Sequence, residues 1–213
     1  KIEAPHHPDA LRINTWDIFP DSDPGERPWN RSGMINERNR SKLGISLDLA
    51  AEEGKNLFLE LVKVSDVVLE NFRLGVMDKL GVGFDVLKQY NPSIILASLS
   101  SQGLTGPESA YRSFGPTLEQ LSGMSLLTGY PGEPPDLKGI AYPDTLNGHM
   151  AVGLVAAALR HRGLTGDGTH IDISQRELAT CTIGEAIMDY TMNGRLRQPM
   201  VNGHPSMAPH AAY

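Results

Sequence analysis

Residues 66–100 read DVVLENFRLGVMDKLGVGFDVLKQYNPSIILASLS, and this stretch decides the predicted fold. Apolar runs at its two ends are typical of buried strands, and the segment between them has the spacing of one or two short helices. That helical segment ends at Asn91-Pro92, because a residue that precedes proline is disfavoured in a helix. Strands that alternate with helices predict an α/β fold with a parallel sheet covered on both faces.

The alternation continues on either side of this stretch. Upstream, a predicted strand at 43–49 leads into an amphipathic helix at 50–65, with Leu57, Leu61 and Val64 at helical spacing. Downstream, the predicted elements are a helix near 116–126, an apolar helix at 147–162, a strand at 170–174 and a helix that ends at Gly194. The helix at 147–162 is apolar nearly all round, so we expect it to be buried on every side.

Composition excludes several classes of protein. The chain has 213 residues, a net charge of -6 and no long basic run, which argues against nucleic-acid binding. It has no run of about 18 apolar residues, so we expect no membrane span. Cys181 is the only cysteine, and the histidines and carboxylates lack metal-ligand spacing, so we expect no disulfide and no metal site. These features fit a cytoplasmic protein.

The two ends of the chain lack the features of a complete domain. The chain opens with KIE, which is typical of the end of a strand, and continues into a Pro- and Asp-rich stretch at 5–35 that predicts a long surface loop. The segment 195–213 is rich in Pro, His and Gly and does not predict a final element. We therefore expect a piece of a longer protein.

Candidate binding residues follow the predicted strands, because ligands of parallel sheets bind at the carboxyl ends of the strands. Asn71 can both donate and accept hydrogen bonds, and Phe72 offers a flat apolar face, so the pair suits an adenine ring. The alternative is a turn residue beside a core aromatic. Arg38, Arg40 and Lys42 lie two residues apart before a predicted strand and could share one face to hold phosphates, or could simply be solvated.

Asp144 stands at the start of the apolar helix and has two interpretations. Aspartate is a common N-cap residue, so a purely structural role is sufficient. The same position favours an ionised carboxylate through the helix dipole, against the opposing effect of burial, and a desolvated carboxylate can act as a covalent nucleophile. The sequence GVG at 81–83 is not a dinucleotide fingerprint, because it lacks a third glycine and follows a helix.

Taken in order, these segments resemble the class III CoA-transferases, the family of formyl-CoA transferase and crotonobetainyl-CoA transferase. The matching segments cover nearly the whole chain outside 5–35, and the ordered set is more specific than any one motif. They are KIE, NRSKLGISLDL, SDVVLENFRLGVMDKLGVGFDVL, NPSIILASLSSQGLTGP, FGPTLEQLSGMSLLTGYPGEPP, YPDTLNGHMAVGLVAAALRHRGLTGDGTHIDISQRE and NGHPSMAPHAAY.

The resemblance implies a Rossmann-like large domain, a smaller domain and two subunits that interlock as a homodimer. By this comparison, 1–213 is a CoA-binding large-domain fragment that starts about one strand-helix-strand unit late. Residues 195–213 would begin the linker toward an absent small domain, and a glycine-rich loop of the family would lie beyond Tyr213. No permanently bound cofactor is implied; coenzyme A and acyl-CoA are substrates, with a carboxylic acid as acceptor.

The resemblance also implies roles for individual residues. Tyr142, Asp144 and Gly148 match the family motif Y-x-D-x-x-x-G, whose aspartate forms a mixed anhydride and then an aspartyl-CoA thioester. Asn71 and Phe72 would contact the adenine side of CoA. The candidates for its phosphates are Arg38, Lys42 and Lys79.

Two alternatives to a CoA-transferase remain open, and a departure from the family pattern bears on the first of them. Phe114-Gly115-Pro116 stands where many relatives have Phe-Asp-Pro and where the related α-methylacyl-CoA racemases have a His-Asp pair. The missing histidine argues against a racemase or epimerase, which needs two acid/base groups at the α-carbon. The other alternative is a CoA-binding module without chemistry. The sequence does not identify the acids, whose binding walls we expect partly from the loop at 125–141.

Overall fold

Parallel strands and helices alternate along the chain. The computed structural model describes residues 1–12, 18–136 and 142–212. The strands are β1 (Ile2–Glu3), β2 (Ile45–Ser46), β3 (Val67–Glu70), β4 (Ile95–Ser98) and β5 (Thr169–Asp172). The helices are α1 (Pro28–Arg31), α2 (Gly33–Arg38), α3 (Glu52–Lys63), α4 (Val76–Lys79), α5 (Phe84–Tyr90), α6 (Gly115–Leu121), α7 (Tyr142–Thr165), α8 (Gln175–Cys181) and α9 (Gly184–Asn193).

Two parallel sheets confirm the predicted α/β class. The larger has the order β3-β4-β5, with Glu70 paired to Ser98 and Ser98 paired to Asp172 at its carboxyl edge. The smaller pairs β1 with β2, so the predicted strand at 43–49 is two residues long. The opening KIE contains a strand, as predicted.

Helices cover both faces of the larger sheet. Successive residues of a strand point to opposite faces, and β4 shows this directly. Leu96 belongs to the cluster under α3 and α5, with Phe58, Val62 and Leu87, whereas Ala97 packs with Ala151 of α7 and Ile173. All four residues of β4 are buried, which explains why this strand reads as a continuous apolar run.

The helix α3 is amphipathic as predicted, but the predicted core face is wrong. Leu57, Leu61 and Val64 are exposed, and Gly54, Phe58, Leu59 and Val62 are the buried residues. Gly54 explains why a different face of α3 is buried. A Cβ there would lie 2.1 Å from the carbonyl oxygen of Asp48, so the helix approaches the β2–α3 connection through its glycine.

The segment predicted as a surface loop at 5–35 contains helical structure. Its residues 13–17 lie outside the described part of the chain. Arg12 donates two hydrogen bonds to Glu3, at 2.9 and 2.8 Å, and this pairing lowers the pKa of Glu3 to about 2. Ser32 accepts a hydrogen bond from the amide of Ile35 and so caps α2.

The capped helix α2 corrects the prediction for the basic residues. Arg38 is the last residue of α2, and a turn follows it, so Arg38, Arg40 and Lys42 do not alternate along an extended strand. Lys42 instead folds back, and its Nζ donates to the carbonyl of Arg38 at 2.9 Å. The Pro- and Gly-rich sequence around α2 obscured its helical pattern.

Two predicted helices have different bounds. The predicted helix at 116–126 ends at Leu121, where Gly123 adopts a φ of 85° and separates it from a 3₁₀ turn at Met124–Leu127. The predicted helix at 175–194 is two helices, α8 and α9, and ends at Gly194 as expected.

The apolar helix α7 is longer than predicted and is not buried on every side by this chain. Its buried residues are Pro143, Asn147, Ala151 and Ala158, whereas Val152 is 72% exposed. Among the helices described, none combines the length and apolar character needed to cross a bilayer.

We predict that Gly168, just before β5, is required for this sheet. A Cβ at Gly168 would lie 2.2 Å from the carbonyl oxygen of Ile94, so Gly168→Ala should cost about 1–3 kcal/mol of unfolding free energy. Gly163 is the control, because it lies in α7 with open space around it. Gly163→Ala should stabilise by about 0.5–1 kcal/mol. Urea unfolding of both variants measures the difference, and equal effects would contradict the strand position described here.

Candidate functional site

A cleft of about 460 Å³ opens at the carboxyl edge of the larger sheet. Five parts of the fold meet there: the turn after β3, the loop between β4 and α6, and the first turns of α6, α7 and α8. The lining residues are Asn71, Phe72, Arg73, Ser101, Arg112, Ser113, Phe114, Gly115, Asp144 and Gln175. The cleft thus lies where ligands bind in parallel α/β sheets.

The turn after β3 is fixed by its own side chains. The buried Glu70 accepts a hydrogen bond from the amide of Phe72 at 2.6 Å, and Asn71 donates from its side-chain amide to the carbonyl of Leu99. Both contacts hold the turn in place at the end of the sheet. Phe72 keeps 43% of its surface exposed, so its ring is available to a ligand, unlike the core aromatic of the alternative interpretation.

Several contacts hold the loop between β4 and α6, and the amides of Gln175 and Arg176 donate to the carbonyls of Ser100 and Ser101 near its start. Both carboxylate oxygens of Asp172 accept from the amide of Leu104, at 3.1 and 3.0 Å. Glu108 forms an ion pair with Arg176 of α8. Gln102 donates to the hydroxyl oxygen of Ser113 at 2.6 Å. The loop therefore presents its last residues to the cleft in a defined position.

Asp144 lies in the first turn of α7, as its third residue, and reaches the cleft. The prediction that it is the N-cap is wrong, because the helix already includes Tyr142 and Pro143. The residue before Tyr142 lies outside the described residues. The helix dipole at this position still favours a negative charge.

The pKa of Asp144 is raised above its ordinary value because surrounding protein atoms desolvate the carboxyl. The charge of Arg38 acts in the opposite direction and lowers the pKa. The sequence set the helix dipole against the opposing effect of burial, and in the structure desolvation is the larger effect on this pKa. Asp144 as a whole is exposed, but the partial desolvation of its carboxyl outweighs the favourable charge, so its pKa lies above the ordinary value.

The candidate basic residues divide into two groups. Arg38 is near enough to Asp144 for its positive charge to lower the pKa of that carboxyl. Arg38, Lys42 and Lys79 all lie outside the residues that line the cleft; Lys42 is engaged with Arg38 and Asn39, and Lys79 ends α4.

Sequence reasoning missed two arginines of the cleft, Arg73 and Arg112. Arg73 directly follows Phe72, so its position after β3 was a usable signal. Arg112 lies in a loop with no pattern of its own. The contacts that hold that loop, among them Asp172 to Leu104 and Arg176 to Glu108, bring it to the same cleft as Asp144.

No three His, Cys, Asp or Glu side chains gather as metal ligands within the part of the chain that the structure describes. The loop at 125–141, expected to form part of the walls for the acids, lies partly outside the described residues, which stop at 136 and resume at 142.

The chain joins a parallel α/β sheet to an accessible carboxylate in a cleft. Comparison with known proteins identifies its family. The model of CoA-transferase family III matches residues 1–213, and the chain belongs to this family.

Relatives and solved structures agree with this assignment. An acetyl-CoA:oxalate CoA-transferase of Acetobacter aceti is 35% identical over 210 residues, which are 98% of this chain and 51% of that protein. A succinate–glutarate CoA-transferase of Agrobacterium fabrum is 31% identical over 211 residues, 99% of this chain and 52% of that protein. The crystal structure of a CaiB/BaiF family protein from Brucella suis superposes with a TM-score of 0.86 at 32% identity, covering 98% of this chain and 54% of that one. The chain spans about half the length of the curated relatives it matches.

We predict that Asp144→Asn stabilises the protein at neutral pH. Because the folded-state pKa of Asp144 is raised, the folded protein binds this proton more tightly than the unfolded chain. The unfolding free energy of the parent protein therefore falls as pH rises from 3.8, the ordinary value, through the raised pKa. The amide of the variant cannot titrate, so its advantage should grow over that interval and then stay constant. Urea unfolding across pH measures it; a variant less stable at neutral pH would show that the helix dipole and Arg38 outweigh desolvation.

Proposed function

We propose that the protein acts as an acyl-CoA:carboxylate CoA-transferase with Asp144 as the covalent nucleophile. One observation carries this proposal. The aspartate that matches the family motif lines the same cleft as the Asn71-Phe72 pair, although the two lie far apart in the sequence. The names of the relatives, which are CoA-transferases acting on carboxylic acids, support the same reaction.

The proposed reaction begins with attack by a carboxylate oxygen of Asp144 on the thioester carbonyl of the acyl-CoA. The C–S bond breaks, CoA leaves as a thiolate, and Asp144 carries a mixed anhydride. The thiolate then attacks the Asp144 carbonyl of the anhydride. This step releases the first acid as a carboxylate and leaves an aspartyl-CoA thioester.

The second half of the reaction reverses the first with a new acid. The incoming carboxylate attacks the aspartyl-CoA thioester and displaces the CoA thiolate, which gives a second anhydride. The thiolate attacks the carbonyl of the new acid, forming the product acyl-CoA and restoring the carboxylate of Asp144. One acyl-CoA thioester is formed for each one that is consumed, so the exchange needs no ATP.

The surroundings of Asp144 suit these steps. A raised pKa makes its carboxylate a better nucleophile than an ordinary Asp, and the nearby charge of Arg38 favours the anion at neutral pH. Arg38 can also stabilise the oxyanions that form during attack. Glu70, the carboxylate at the end of β3, is buried and accepts a hydrogen bond from the amide of Phe72, so we give it a structural role in the turn.

The proposed CoA site uses the exposed face of Phe72 and the polar group of Asn71 for the adenine. Arg38, Lys42 and Lys79 remain the candidates for the phosphates, and Arg73 joins them because it lines the cleft next to Phe72.

A homodimer belongs to the same proposal. The exposed apolar residues of α7, among them Met150, Val152 and Leu154, support a second subunit there. Such a subunit would complete the burial that the apolar sequence of this helix predicts.

The alternatives gain no specific support. A racemase needs two acid/base groups at the α-carbon. Among the described residues that line the cleft, Asp144 is the one carboxylate and no histidine is present. A CoA-binding module without chemistry would not require an accessible carboxylate with a raised pKa.

We predict that Asp144→Asn abolishes CoA transfer, because an amide has no anionic oxygen to attack the thioester. Intact-protein mass spectrometry after mixing with acetyl-CoA or succinyl-CoA should detect a covalent adduct in the parent protein and none in the variant. Asp85→Asn is the control, since Asp85 also lies in the first turn of a helix, is exposed and does not line the cleft. Full transfer by Asp144→Asn, or adduct loss in Asp85→Asn as well, would refute the assignment.

We predict that Phe72→Ala weakens CoA binding by roughly 1–3 kcal/mol, the range for aromatic stacking on a base. Tyr111→Ala is the matched control, because Tyr111 is 56% exposed but lies outside the cleft lining. Isothermal titration with CoA measures both variants. Unchanged affinity in Phe72→Ala would remove the ring from the adenine site.

A further inference from the structure

Two side-chain amides converge on one backbone carbonyl beside the cleft. Asn71 donates from Nδ2 to the carbonyl oxygen of Leu99, and Gln175 donates from Nε2 to the same oxygen at 3.3 Å. A carbonyl oxygen has two lone pairs, so one donor can occupy each of them. Asn71 is proposed above as a contact to the adenine of CoA, whereas Gln175 has no role in the proposed reaction.

Gln175 is the more firmly held of these two side chains. It is the first residue of α8, it is only 5% exposed, and its backbone amide donates to the carbonyl of Ser100 at 3.1 Å. Ser174 caps the same helix by accepting a hydrogen bond from the amide of Glu177. The peptide groups just after β4 are therefore held by both the backbone and the side chain of Gln175, which fixes the direction of the Leu99 carbonyl.

The Leu99 carbonyl in turn fixes which edge of the Asn71 amide faces outward. A carbonyl oxygen can only accept, so the nitrogen of the Asn71 side chain must point toward it. The Oδ1 acceptor and the second N–H are then left for a ligand, and Asn71 is exposed. An asparagine amide with this free edge pairs with the amino group and N7 of adenine. Hypoxanthine has an oxygen in place of that amino group and offers no donor to Oδ1.

We propose that Gln175 is a positioning residue for CoA, which holds the Asn71 amide, through the Leu99 carbonyl, in the orientation that selects adenine. This inference rests on the proposed CoA-transferase function. Gln175 acts on the binding of acyl-CoA and takes no part in the chemical steps at Asp144, although both residues line the cleft. Without Gln175 the Leu99 carbonyl loses a restraint, the Asn71 amide can rotate, and the preference for adenine over hypoxanthine falls.

The first test measures binding of the adenine end of CoA alone. Isothermal titration compares adenosine 3′,5′-bisphosphate, which lacks the pantetheine arm, with its inosine counterpart and with CoA. The parent protein should bind the adenosine form more tightly than the inosine form. Gln175→Met should lower the affinities for the adenosine form and for CoA by the same factor, about 3- to 10-fold, as expected for one hydrogen bond. The affinity for the inosine form should hardly change.

A double-mutant cycle tests the route through Asn71. Gln175→Met should cause no further loss of affinity when Asn71→Ala has already removed the amide, because the two side chains act through one carbonyl. Gln120→Met is the matched control, since Gln120 is exposed on α6 and lies outside the cleft lining, and it should leave all three affinities unchanged. In CoA transfer, Gln175→Met should raise the KM for acyl-CoA about 3- to 10-fold and leave kcat nearly unchanged.

The outcomes separate this inference from the function beneath it. Equal affinity of the parent protein for the adenosine and inosine forms would overturn the inference without any variant, so the test does not depend on the folding of Gln175→Met. Additive losses in the cycle would also overturn it. A greater loss for CoA than for adenosine 3′,5′-bisphosphate would overturn it by making Gln175 a direct contact to the pantetheine arm. Any of these results beside a detected Asp144 adduct would leave the CoA-transferase function standing, whereas absence of both adduct and transfer would refute that function.

Discussion

The pairing of β4 with a neighbour on each side determines where every part of the site lies. This register brings Glu70, Ser98 and Asp172 into one row across the carboxyl edge of the sheet. The two outer members are engaged with backbone amides. Glu70 fixes the turn that carries Phe72, and Asp172 fixes the loop that carries Arg112. A slip of one residue would turn these carboxylates to the other face, and both walls of the cleft would lose their anchors.

Asp144 shows how stability and chemistry oppose each other at one carboxyl group. Desolvation raises the free energy of the anion in the folded protein, and the same desolvation favours the nucleophilic role that we propose for it. Arg38 limits that cost without removing it. Its position depends on the Ser32 cap of α2 and on the Glu3–Arg12 pair that holds the preceding segment. Residues near the start of the chain thus influence the proposed chemistry of a distant carboxylate.

Much of this architecture could be predicted from the sequence, because apolar runs and helix stops are local signals. The parallel sheet and the position of the candidate binding residues after β3 follow from them. What failed depended on tertiary packing. The helical period of α3 was correct, but the buried face was set by the close approach of Gly54 to Asp48. Arg38 lies in a helix that its Pro-rich surroundings concealed. Arg112 was not predicted because tethers from β5 and α8, distant in sequence, put it in the cleft.

The helix α7 connects the site to the surface of the molecule. Its sequence predicted burial on every side, yet this chain buries it mainly along Asn147, Ala151 and Ala158. Apolar side chains such as Val152, 72% exposed, contribute little to stability until another surface covers them. Asp144 occupies the first turn of the same helix, so a subunit that covered α7 would also stabilise the element that positions the carboxylate. In the proposed dimer, assembly and the position of the proposed nucleophile would be linked through one helix, because a surface that buries the apolar side of α7 also restrains its first turn.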